Sequence, residues 1–236
     1  AKNRLADFPH YLMHRAEQLD NLYIFKNTEG TPENIRKFHP NIIVSSTGSA
    51  PLLPPIAGLK DRIDNEKHNI YSILGMISHI NDFPKDLEGK KVVVVGGGAV
   101  GLDVVEFFAD RNADISIVEM MDQIGRDLDP VSKNDTKTMM KKHNVHQLTK
   151  TALLEVKDSS FLVRGDGEPY ELPFEYGFVC LGMRAQGQLY QNLTEEFSSE
   201  DVEIMNIGDS QRARRIIDGT QEGRNILTIL EQKGYL

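Results

Sequence analysis

The most constraining feature of the chain is one continuous unit in its middle. The run KVVVV (91–95) passes directly into GGGAVG (96–101), and Val100, Val104, Val105 and Phe108 then recur on one face of a helix. An unbroken β-branched run is the signature of a central parallel strand covered on both faces. DISIVE (114–119) follows as a second strand. Strand, glycine turn, helix and strand fit within about 30 residues, the size of one βαβ unit. The unit demands a layered α/β architecture, with a parallel sheet and its crossover helix packed on it.

The glycine spacing gives the turn a chemical reading. Gly96, Gly98 and Gly101 form G-x-G-x-x-G, with Gly97, Ala99 and Val100 between them. The pattern is weak alone and informative where it leaves a strand and opens a helix. Gly96 permits the tight turn, Gly98 lets a pyrophosphate approach the backbone, and Gly101 brings helix and strand together. The helix N-terminus adds unpaired N–H groups and a partial positive charge. Glu119 ends the next strand, where a carboxylate accepts hydrogen bonds from both hydroxyls of an adenosine ribose and repels a 2′-phosphate. NAD(H) is therefore expected over NADP(H). Arg126, a cation in the following loop, leaves strict preference open.

On either side the elements are shorter. Residues 8–19 have helical spacing, and NLYIF (21–25) reads as a strand. Thr31-Pro32 opens a short helix, and NIIVSS (41–46) is a buried-type strand. PLLPPIAGL (51–59) is a stiff connector. Asp129-Pro130 starts a helix that runs to about Lys142. TALLEV, SFLVR, PYELP and FEYGFVCLG read together as a small meander, with a turn at Gly165-Asp166-Gly167. VEIMNI (202–207) is the last strand, and a helix follows over about 214–232.

Composition removes several classes. The net charge of −8 argues against a general nucleic-acid or anionic-membrane binder. No apolar run approaches the roughly 20 residues of a membrane helix. The single cysteine, Cys180, suits a reducing cytoplasm and leaves no pair for disulfide redox chemistry. No histidine–cysteine–carboxylate set has metal-ligand spacing, so no metal is expected.

The segment VVVVGGGAVGLDVVEFFADRNADISIVEMMDQIGRDLDP resembles the NAD-binding domain of the two-dinucleotide flavoprotein reductases. IGRDLDP (124–130) and IGDSQRARRIIDGTQEG (207–223) are similar to the C-terminal half of the 2-enoate reductase and 2,4-dienoyl-CoA reductase group, relatives of Old Yellow Enzyme. The resemblance implies an NAD(H) domain at 88–185 inserted into an incomplete FAD domain made of 1–56 and 186–236, with 57–87 as linker. It implies that Thr47 and Gly48 edge the flavin site, that Gly208 and Asp209 hold the ribityl chain of FAD, and that Gly182 and Met183 lie beside bound NAD. The family's opening FAD loop, its FMN barrel and its 4Fe-4S cysteine cluster have no counterpart here. The chain thus reads as a C-terminal portion of a larger cytoplasmic NADH:flavin oxidoreductase. Its expected partner is the rest of that enzyme or a flavin-bearing subunit, or a second copy of itself. The resemblance assigns no acid–base residue to this portion. Two other readings stand beside it: a nucleotide-binding interaction module docked on a separate flavin subunit, and a self-contained NAD-dependent dehydrogenase.

Overall fold

A computed structural model describes residues 6–235. In chain order these form α1 (Asp7–Glu17), α2 (Pro32–Arg36), β1 (Ile42–Ser45), β2 (Ser49–Pro51), α3 (Leu59–Arg62), β3 (Ile70–Tyr71), α4 (Ile73–Ser78), β4 (Lys91–Val95), α5 (Ala99–Ala109) and β5 (Asp114–Val118). Then follow α6 (Pro130–Lys142), β6 (His146–Leu148), β7 (Ala152–Val156), β8 (Ser160–Arg164), β9 (Tyr170–Pro173), β10 (Tyr176–Val179), β11 (Met183–Ala185), α7 (Gln188–Glu196), β12 (Glu203–Asn206), a 3-10 turn at Gly208–Ser210, and α8 (Ile216–Gln232). They divide into a larger compact unit, 44–187 with 206–235, and a smaller one, 6–43 with 188–205.

The larger unit is built on a five-stranded parallel sheet in the order β3-β10-β4-β5-β6. Strand side chains alternate between faces, and the valine run serves two cores at once. Val92 and Val94 point to one face and pack with Val104, Val105 and Phe108 of α5, Met140 of α6, and Ile115, Ile117 and Phe178. Val93 and Val95 point to the other and pack with Leu59, Phe161 and Val163. Their cover is the antiparallel meander β7-β8-β9. This is the α/β, Rossmann-like parallel sheet with a small meander that the glycine unit demands.

The fourth strand read into the meander belongs elsewhere. FEYGFVCLG yields β10, which inserts between β3 and β4, with Gly177 opposite both Ile70 and Val93. Gly177, Phe178 and Val179 are all buried, and a strand buried on both faces belongs in a parallel sheet rather than at a half-exposed edge.

The linker expected over 57–87 is folded. It holds α3, edge strand β3 and α4, and buries Leu59, Ile63, Ile70, Met76 and Phe83. Its polar residues masked a few large apolar anchors, and those anchors decide burial. The proline stretch before it is pinned as well: the Leu52 N–H donates to Gly182 O (2.9 Å), and the Val156 N–H donates to Ala57 O (2.8 Å).

In the smaller unit, Thr31 caps α2 by accepting the Asn34 N–H (3.2 Å), with Pro32 in the first turn. Arg36 of that helix reaches Glu196 and Glu200 and lies over the Phe197 ring at 4.6 Å. Ile43, Leu193 and Phe197 form a small core. α1 forms at the expected place but buries none of its residues. NLYIF (21–25) forms no strand. It carries suitable side chains, but a strand needs a neighbour for its backbone groups, and none pairs with it among the described residues.

Candidate functional site

Ligands of open parallel sheets bind beyond the carboxyl ends of the strands. Here β4, β5 and β10 end at a cleft of about 820 Å³ within the larger unit. Val95 and Gly96, Val118 and Glu119, and Cys180 and Leu181 just past Val179 line it.

The three fingerprint glycines do different work. Gly96 has φ +108°, and a Cβ on it would lie 2.2 Å from the Cys180 carbonyl oxygen. That close approach seals the loop against the neighbouring strand. Gly101 is buried behind the cleft, and a Cβ there would sit 1.9 Å from the Gly96 carbonyl oxygen. Gly98 is different: it has ordinary extended backbone, and a Cβ on it would meet nothing within 4 Å. It caps α5 with no side-chain hydrogen bond, so the first-turn N–H groups of that helix open onto the cleft.

Gly96, Gly97, Gly98, Ala99, Val100, Glu119 and Gly182 share this cleft. Met183 does not line it: it lies in β11, paired antiparallel with Pro51 of β2. The Glu119 carboxylate turns inward. Its Oε2 accepts the Gly97 N–H at 2.6 Å and its Oε1 accepts the Met121 N–H at 2.7 Å. Arg126 also lines the cleft, brought there by the left-handed Gly125, whose N–H donates to Gly97 O at 2.7 Å. Asp129 acts as the cap of α6, accepting the N–H groups of Val131 and Ser132 and the Ser132 hydroxyl. The Ser132 hydroxyl, helped by those N–H groups, holds its carboxyl below the usual range.

The opposite wall escaped the sequence reading. Pro54, Ile56 and Leu153 supply it, with Thr151 and Ala152. No motif marks these residues. Leu153 arrives with the meander as it folds back over the sheet, and Pro54 and Ile56 with the connector pinned to Gly182 and Val156.

Thr47, Gly48, Gly208 and Asp209 belong to a second cluster in the same unit. The Thr47 hydroxyl donates to Gln186 O (2.6 Å), and the Gln186 N–H returns to Gly48 O (3.0 Å). Asp209 accepts the Ser49 hydroxyl (3.1 Å) and the Arg214 N–H (3.1 Å). Gly208, at φ +66°, donates its N–H to Glu222 at 2.6 Å, and Arg214 pairs with the same carboxylate. That N–H, followed by the guanidinium, holds the Glu222 carboxyl below its ordinary range. Cβ atoms built on Gly48 and Gly208 would meet nothing within 4 Å, so both backbones face open space.

Cys180 is buried in the strand end, and burial pushes its thiol up to about 12. Among the described residues no group of three or more His, Cys, Asp or Glu side chains is placed to hold a metal ion, and no helix is long and apolar enough to cross a membrane.

The family model described as pyridine nucleotide-disulphide oxidoreductase matches residues 15–205. The chain belongs to that family. Within it, the chain is 26% identical to a metal reductase of Desulforamulus reducens, over 93% of this chain and 36% of the relative. It is 26% identical to an NADH oxidase of Thermoanaerobacter brockii, over 81% of this chain and 28% of the relative. The chain therefore spans about a third of the length of these curated relatives. A solved 2-naphthoyl-CoA reductase in complex with 2-naphthoyl-CoA shares the fold, with a TM-score of 0.76 and 21% identity, over 93% of this chain and 31% of that one. The family name speaks of a disulphide, yet these residues contain a single cysteine, held buried and protonated.

Proposed function

We propose that the chain is the NADH-binding part of a flavin-dependent oxidoreductase. One observation carries the reading: nothing in the fold requires a glycine at position 98. Its backbone is ordinary and its surroundings are empty. A glycine there makes sense where a ligand approaches the backbone more closely than a methyl group allows, above an uncapped helix N-terminus that favours phosphate. Gly96, Gly97, Ala99, Val100 and Gly101 shape that cradle, and Glu119 keeps lone pairs free for the ribose hydroxyls. Gly182 closes the cleft on the β10 side, with Met183 just beyond it.

The second cluster supports FAD as the acceptor. Gly48 and Gly208 present bare backbone, and the Thr47 hydroxyl and Asp209 carboxylate provide polar groups beside it. When bound, the nicotinamide supplies a hydride to the flavin, a step governed by stacking and distance more than by acid–base groups. The chain's own residues bind and orient.

The finer reading is that the whole enzyme reduces an activated C=C bond of an enoate or enoyl thioester, through FMN and an iron–sulfur cluster outside these residues. It rests on the similarity of 124–130 and 207–223 to the 2-enoate reductase group. Partners are part of the proposal. Phe8, Tyr11, Leu12 and Met13 of α1, with Tyr23 and Phe25, are exposed apolar side chains on the smaller unit, suited to the rest of the flavoenzyme, a flavin-bearing subunit or a second copy.

Calorimetry with NADH tests the core claim. Saturable binding at sub-millimolar concentration is expected, and no heat at millimolar NADH overturns it. Absorbance after purification tests the flavin claim, with substoichiometric FAD expected for this chain alone.

A further inference from the structure

The fingerprint leaves position 97 unassigned, yet any side chain there would crowd Glu119. Gly97 is buried, and a Cβ on it would lie 2.9 Å from Glu119 Oε2 and 3.2 Å from both Cβ and Cγ of Glu119. The peptide groups of Gly97 are both committed. Its N–H donates to Glu119 Oε2 at 2.6 Å, and its carbonyl accepts the Gly125 N–H at 2.7 Å. Glu119 is itself fixed at three further points. Its Oε1 accepts the Met121 N–H at 2.7 Å, its own N–H donates to Leu148 O at 2.9 Å, and its carbonyl accepts the Thr151 N–H at 2.9 Å.

From this geometry we propose that Glu119 is a positioning residue for the glycine loop, latching it through Gly97, in addition to any contact with ribose. The proposal rests on the NADH reading of the cleft. The carboxylate ties the glycine loop to the turn that follows β5, and the backbone carbonyl of the same residue holds Thr151 at the start of the meander. By taking up the Gly97 N–H, it leaves the first-turn N–H groups of α5 as the donors open to phosphate. Hydrogen bonds from N–H groups to a carboxylate are charge-assisted and stronger than neutral ones. Two of the carboxylate's roughly four acceptor positions are used by the latch, and two remain for hydroxyls. The same side chain thus reads the ribose and holds the phosphate loop.

A ligand lacking the hydroxyls separates the two roles. Wild type and Glu119→Gln are titrated with NADH and with its analogue lacking both hydroxyls of the adenosine ribose. If Glu119 acts only through hydroxyls, the substitution changes affinity for NADH and leaves the analogue within about twofold, which overturns the latch. The latch predicts that the analogue also weakens, by about tenfold or more, as expected for losing a charge-assisted hydrogen bond. Gly97→Ala should weaken both ligands in the wild-type background and do so less with Glu119→Ala, because the Oε2 and Cγ atoms that crowd the methyl are then gone.

A ligand-free measurement keeps the latch testable if NADH does not bind. Amide exchange at Gly97 and Met121 should accelerate at least about tenfold in Glu119→Ala relative to wild type, while amides of β4 stay protected. Unchanged exchange at both overturns the latch. Absent NADH binding with intact amide protection overturns the NADH reading instead.

Discussion

Gly101 stands so close to Gly96 that a methyl on the first would lie 1.9 Å from the carbonyl oxygen of the second. Backbone does not yield as a flexible side chain does, so helix α5 would have to move away from the loop. Gly101→Ala should therefore cost about 1–3 kcal/mol, as overpacking does, and should weaken NADH binding with it. A lower midpoint in urea unfolding, with unchanged slope, checks the first effect. A wild-type midpoint would refute the packing role.

Gly98→Ala should behave in the opposite way. No atom lies within 4 Å of the added methyl, so the urea midpoint should stay within about 0.5 kcal/mol of wild type, as at undemanding surface sites. NADH affinity should fall about tenfold or more, because the methyl stands where the phosphates approach. Equal loss of stability and affinity would show that the glycine serves the fold.

In β10, a Cβ on Gly177 would meet Phe161 and Phe174 ring carbons at 2.7–2.9 Å. Glycine inside a strand marks such a close approach. Gly177→Ala should destabilise the chain by about 1–3 kcal/mol. Phe174→Leu in the same background should recover part of the loss, measurable by thermal or urea unfolding.

Cys180 should resist thiol reagents in the native state at pH 8 and react fully in denaturant. Burial pushes the thiol up to about 12, so the folded form holds its proton where an unfolded thiol, near about 8.5, has lost it. The sign follows from that difference. The group's contribution is complete below the unfolded value and is lost as pH rises from there through the folded value. Cys180→Ala should flatten the alkaline limb of stability against pH. Rapid native labelling would contradict the burial.

The Glu222 carboxyl is held low, first by the Gly208 N–H and then by Arg214. Its contribution is therefore present above the unfolded carboxylate value and lost as pH falls through the lower folded one. The Gly208 amide resonance should titrate in acid with that depressed midpoint, and Glu222→Gln should abolish the titration. A shift centred at the ordinary carboxylate value would deny the contact.

The parts of this molecule that were legible in the sequence are those governed by local rules. Asp129-Pro130 and Thr31-Pro32 start helices because capping chemistry lies within a few residues. The valine run and its glycine turn fix strand, loop and helix together. What stayed hidden depends on neighbours distant in sequence. NLYIF has a strand's composition but no ladder, and β10 resembles a meander strand until its burial on both faces is seen. The same holds in the site: Gly98 and Glu119 are readable from spacing, whereas Leu153 enters the cleft only through the return of the meander, and Pro54 and Ile56 through a connector pinned to distant backbone. Gly97 is the intermediate case, since the side chain it makes room for is set by the end of β5.

The late arrival of β10 has a consequence for biosynthesis. The glycine loop leaves the ribosome before β10, and the carbonyl of Cys180 that closes against Gly96 is translated only after the entire meander. A nascent chain paused before Tyr176 thus carries the recognition motif without the wall that gives it shape. Nucleotide can stabilise only chains that have passed this point, because a ligand shifts folding solely through the state that binds it. Dinucleotide capture would then report that β10 is in place rather than aid the folding of what precedes it.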